Sequence, residues 1–90
     1  MKNNFIISSY IDSALEEAVY DKLDDDTFSG KIPSCKGVIA FSKTLKECEN
    51  DLRSVLEDWI LVGLKLRHDL PIIAGIDLNK VPEHEQMDTL

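Results

Sequence analysis

The side chains in this chain that could do chemistry are clustered carboxylates, two thiols and two imidazoles, and their spacing decides what each could do. Asp24, Asp25 and Asp26 stand consecutively, with Asp21 shortly before them, and grouped carboxylates are common ligands of hard divalent cations. A calcium loop starting at Asp24 would need glycine at its sixth position and glutamate at its twelfth, where this chain has Ser29 and Cys35. Consecutive residues in a tight turn also point in different directions, so the run reads as a solvated hairpin turn, and no metal is expected. Cys35 and Cys48 lack the close spacing of a zinc knuckle or a redox dithiol, and two reduced thiols are expected. Cys48 falls on an apolar stripe and reads as a small buried side chain. Cys35 lies in a loop beside Lys36, a neighbour that could lower its pKa, although an unreactive loop cysteine is the preferred reading. His68 follows a long helix, where an imidazole can bond the last carbonyls. His84 lies in a C-terminal tail. Neither histidine has a Cys, Asp or Ser at a recognised catalytic spacing, so no catalytic residue and no cofactor are expected.

The elements that position these groups follow from periodicity. The strongest signal is a helix from Thr44 to about Leu66. Thr44 and Glu47 form a capping box, and Leu45, Cys48, Leu52, Val55, Leu56, Trp59 and Val62 recur at three- and four-residue steps. Ile60, Leu61, Leu64 and Leu66 make its last turns apolar nearly all round, an excess that points to self-association. Tyr10, Ile11, Ala14, Leu15 and Ala18 give a shorter first helix, capped at Ser8 or Ser9. Residues 19–23 and 27–32 read as two strands of a hairpin around the Asp24–Asp26 turn. Residues 33–37 form a loop. Val38, Ile39, Ala40 and Phe41 form a strand apolar on both faces, so both sides of the sheet should be covered there, by the first helix or by a second copy. Pro71 to Ile76 suits a final edge strand. The fold class is α+β in the order α-β-β-β-α-β, a small, mostly antiparallel sheet with one main packed helix. Residues 1–80 form a single domain, and 81–90 a flexible tail.

Composition narrows the class of partner. The chain has 90 residues and a net charge of -7, with a pI near 4.6. Such a balance argues against direct nucleic-acid binding, which relies on Lys and Arg neutralising phosphates, and favours a basic partner. Between Asp12 and Asp26, seven acids face Lys22 alone. The short apolar run Phe5-Ile6-Ile7 is no signal sequence, and no segment reaches the length of a membrane span, so a cytoplasmic protein is expected.

Read in order, Tyr10-Ile11 with Ala14-Leu15, Ala18-x-Tyr20-Asp21-Lys22-Leu23-Asp24-Asp25, Phe28-x-Gly30-x-Ile32-Pro33, Gly37-Val38-x-Ala40 and Thr44-Leu45-x-Glu47-Cys48 with Leu52 and Val55-Leu56-Glu57-x-Trp59 resemble the HicB-like antitoxin domain over roughly residues 8–79. The resemblance implies a partial RNase H-like fold without that fold's catalytic carboxylates. It also implies a domain that binds and blocks a small basic mRNA-cleaving toxin of the HicA type, and that often forms homo-oligomers. The chain departs from the pattern at Asp26, Ser34 and Ser42, where glycine is frequent. No segment after Asn79 is long enough for the DNA-binding domain that many members carry, so this reads as a stand-alone form.

Three functions follow as expectations. The first is a non-enzymatic antitoxin-type interaction module, whose acidic contact residues would be Asp21, Asp24, Asp25 and Asp26. The second is a stand-alone structural homo-oligomer with no toxin, associating through Ile60, Leu61, Leu64 and Leu66. The third, a metal-dependent nuclease, needs several convergent carboxylates around its metals, and Asp21 has no evident companions on the other strands.

Overall fold

The computed structural model describes the backbone of residues 2–80 and the side chains of residues 6–79. The expected tail at 81–90, with His84, lies outside the described residues. The elements are α1 (Lys2–Glu16), β1 (Val19–Lys22), β2 (Phe28–Lys31), β3 (Ile39–Ser42), α2 (Leu45–Lys65) and a 3-10 turn at Leu78–Lys80. The three strands form one antiparallel sheet in the order β1-β2-β3. Helix α2 lies across β3 and β2, and α1 packs beside α2. This is the α+β arrangement that the periodicities predict.

The first helix begins earlier than Ser8. Ser8 and Ser9 sit inside it rather than capping it, because Ile6 and Ile7, one turn before Tyr10 and Ile11, already pack on the core and continue the helical period. In the hairpin, Tyr20 faces Gly30 and Asp21 faces Ser29. A Cβ at Gly30 would lie 2.8 Å from the Tyr20 ring and 3.2 Å from Cys48 Sγ, so the glycine lets the ring and the α2 thiol close over the sheet. Asp26, at the end of the turn, has φ 67°. That left-handed conformation favours glycine and is tolerated by Asp, which accounts for the departure from glycine at this position.

Helix α2 begins where its sequence implies, with the Glu47 N–H donating to Thr44 Oγ1 at 3.0 Å, which is one half of the expected capping box. Its core stripe is rotated from the expected one. Cys48, Leu52, Leu56, Ile60 and Gly63 are buried, Val55 and Trp59 are half-buried, and Leu45 and Val62 are exposed. Beyond Leu66 the Arg67 N–H donates to the Leu64 carbonyl at 3.2 Å and the His68 N–H to the Gly63 carbonyl at 2.8 Å, with Arg67 at φ 60°. This is the paired-bond helix ending that normally carries glycine. His68 thus closes the helix through its backbone.

The expected last strand is not part of the sheet. Residues 73–76 form a two-residue reversal in which Ile73 and Ile76 exchange backbone hydrogen bonds at 3.1 and 2.8 Å, and Ala74 and Gly75 have φ 52° and 79°. The backbone of Leu70 is paired by one side chain, since Asn79 Oδ1 accepts from its N–H at 3.0 Å and Asn79 Nδ2 donates to its carbonyl at 2.7 Å. With these groups satisfied locally, an apolar segment can pack without joining a ladder. Leu70, Ile73 and Leu78 are buried, and the Tyr10 hydroxyl donates to the Pro71 carbonyl at 2.7 Å.

Among the described residues, the first helix does not supply the second cover expected for β3. Val38 and Ala40 are buried beneath α2, whereas Ile39 is 47% exposed and Phe41 67% exposed. Helix α1, one of the two proposed covers, lies against α2 instead.

Candidate partner-binding surface

The acidic residues singled out from the sequence all reach the surface, but they are not equivalent. Asp21 projects from β1 and is exposed. Asp24, Asp25 and Asp26 occupy the exposed tip of the hairpin, which is closed by Leu23 N–H to Thr27 O at 2.7 Å and Asp26 N–H to Leu23 O at 2.9 Å. Asp25 Oδ1 accepts from the Thr27 hydroxyl at 2.5 Å and from the Thr27 N–H at 3.1 Å. Those bonds favour the charged carboxylate and hold its pKa below the ordinary value, the Thr27 hydroxyl contributing most. Asp26 makes an exposed ion pair with Lys22 at 3.7 Å. The carboxylates therefore turn to different partners: Asp25 to its own turn and Asp26 to Lys22. Among the described residues no group of three His, Cys, Asp or Glu side chains is placed to hold one metal ion.

A second set of acids was not anticipated as a unit. Arg53 on α2 reaches Asp12 on α1 at 3.6 Å and Glu57 one turn along its own helix at 3.3 Å. The Arg53 to Glu57 spacing is legible in sequence; the approach of Asp12 depends on how the two helices pack. Both pairs are exposed and contribute little to stability, but they place a single cation among carboxylates from two helices.

The thiols are buried. Cys35 lies in the 33–37 loop, yet its side chain is covered. Burial first, and Glu17 second, push its pKa up to about 11, opposite to the lowering that Lys36 would give. Cys48 Sγ points at the Phe28 and Ala40 carbonyls at 3.8 and 3.7 Å, and burial raises its pKa. His68 and Asp69 border a shallow recess of about 330 Å³ with Trp59, Val62, Gly63 and Leu70.

The apolar residues proposed for self-association divide. Ile60 is 3% exposed and belongs to the core, and Leu64 is packed against it. Leu61 and Leu66 are 65% and 58% exposed, and Val62 and Ile72 are also bare. The excess read from the sequence is therefore real over half of its members. Ile39 and Phe41 form a further exposed apolar pair, which the two-sided strand pattern signalled without showing which side is open. Among the described residues no helix is long and apolar enough to cross a membrane.

The fold matches a solved structure, that of TTHA0281 from Thermus thermophilus, with a TM-score of 0.76, 34% sequence identity, and coverage of 81% of this chain and 91% of that one. Among curated proteins no relative matches. The family described as UPF0150-like matches residues 9–71, a span that runs from α1 through the whole sheet and α2 to the Pro71 anchor of Tyr10. Fold, spacing and match agree: the chain belongs to the UPF0150-like family, a HicB-like, antitoxin-type domain.

Proposed function

We propose that this protein is a non-enzymatic interaction module that binds and neutralises a small basic mRNA-cleaving toxin of the HicA type. The observation that carries the reading is the family membership over residues 9–71, joined to a net charge of -7 whose carboxylates at Asp21, Asp24, Asp25 and Asp26 are all exposed. An acidic surface steers a basic partner toward it and lowers the chance of productive encounters with acidic ones. Blocking a ribonuclease by surface complementarity requires no reacting group, only a contact area that excludes RNA from the toxin.

Co-expression with a small basic toxin of this type tests the proposal. The complex should copurify and growth should recover. Asp24→Lys with Asp25→Lys should weaken the complex by at least about tenfold, with the loss largest at low salt because exposed charges are screened. Continued growth arrest with no complex would overturn the reading. A second reading, a homo-oligomer without a toxin, is favoured by the exposure of Leu61, Val62, Leu66 and Ile72, and a concentration-independent monomer by light scattering would remove it.

A further inference from the structure

The sheet has an outer edge at β3 whose hydrogen-bonding groups are unspent. The Ile32 N–H donates to the Val38 carbonyl, and the β2–β3 register pairs Gly30 with Ala40 and Phe28 with Ser42. In an antiparallel ladder the residues that bond alternate, so Ala40 and Ser42, together with the Val38 carbonyl, turn toward β2. Ile39 and Phe41 turn theirs outward, and among the described residues these groups meet no backbone partner. The same two residues carry the exposed apolar side chains of the open face. An unpaired, apolar edge is a template for another strand, and β3 carries no charged side chain to blunt it.

We propose that this edge is the seam of a two-fold dimer in which a second copy of the chain adds its own β3 antiparallel, extending the sheet to six strands. Centred on Ala40 against the partner's Ala40, the register brings Ile39 beside the partner's Phe41 and Phe41 beside the partner's Ile39. These become the hydrogen-bonded pairs, and their four side chains form one apolar cluster on the open face. The central pair is the close, non-bonded kind, for which alanine leaves room.

Charge selects this occupant. A chain with net charge -7 can meet its copy only where carboxylates are sparse, and β2 and β3 carry none; their charge and that of the segments flanking β3 comes from Lys31, Lys36 and Lys43. The antiparallel pairing also brings Lys36, which precedes β3, toward the partner's opposite strand end, where Ser42 donates to Asp51 at 2.6 Å. The seam uses β3, whereas the acidic tip joins β1 to β2, so the proposal stands independently of the antitoxin reading.

The test is sedimentation of the full chain across a concentration series, together with amide exchange. The wild type should dimerise, with the Ile39 and Phe41 amides protected. Phe41→Glu should raise the dissociation constant at least about a hundredfold and expose both amides, while circular dichroism shows an intact fold, since Phe41 is mostly exposed. Leu61→Glu on the helix-end patch should leave the dimer in place. A monomeric wild type, unprotected Ile39 and Phe41 amides, or a dimer that survives Phe41→Glu would each overturn the proposal. Toxin binding by a Phe41→Glu monomer would show the two readings to be separable.

Discussion

The two faces of the three-stranded sheet are made from alternate residues of the same short strands, yet one is closed and the other is bare. On the closed face Gly30, Ile32, Val38 and Ala40 are buried under Cys48, Leu52 and Leu56 of α2. On the open face Val19, Ile39 and Phe41 are exposed, with Ser29 and Lys31 between them. A strand of alternating character would explain itself as half-buried, but β3 is apolar on both sides. The difference teaches that hydrophobic side chains on one face build the monomer, while those on the other are available for assembly.

Substitutions can break this contrast, beginning with the closed face. Leu56→Ala removes a side chain with no exposure from the centre of α2 and should lower the unfolding free energy by about 2–5 kcal/mol, measured by urea denaturation. Gly30→Ala adds a methyl against the Tyr20 ring and Cys48 Sγ, with the ring at 2.8 Å. It should lower stability by about 1–3 kcal/mol, a loss that Tyr20→Ala should partly relieve in a double-mutant cycle. The open face should respond least. Ile39→Thr, made in the Phe41→Glu background so that assembly does not contribute, should change monomer stability by less than about 0.5 kcal/mol. A large loss there would mean that the open face is covered within the chain.

Much of the fold was legible because the signals were local. The Thr44 cap, the acidic turn and the hairpin around it each follow from a few adjacent residues. Failures occurred where a distant partner decides the outcome. The residues from Pro71 to Ile76 have strand composition, but their backbone is satisfied by the Ile73–Ile76 reversal, and Asn79 pairs that of Leu70 just before them. Ser8 and Ser9 are good caps in isolation, overruled by Ile6 and Ile7 packing on the core. Cys35 is in a loop, as its Pro and Gly neighbours imply, but the loop folds inward and buries it. The candidate contact surface was readable as a charge excess, whereas the meeting of Asp12, Arg53 and Glu57 across two helices was not.

The Tyr10 hydroxyl and the Pro71 carbonyl it bonds are separated by 61 positions in the chain, which has a consequence during synthesis. Helix α1 is made before the sheet and α2, and its anchor follows only after both. At about 5–20 residues per second the nascent first helix waits several seconds, by the same rate, before Pro71 arrives to accept from Tyr10. During that interval Tyr10, Ile11 and Ala14, all buried in the finished protein, are open to chaperones and to other nascent chains, so the order of translation leaves the amino-terminal helix to be secured after the sheet.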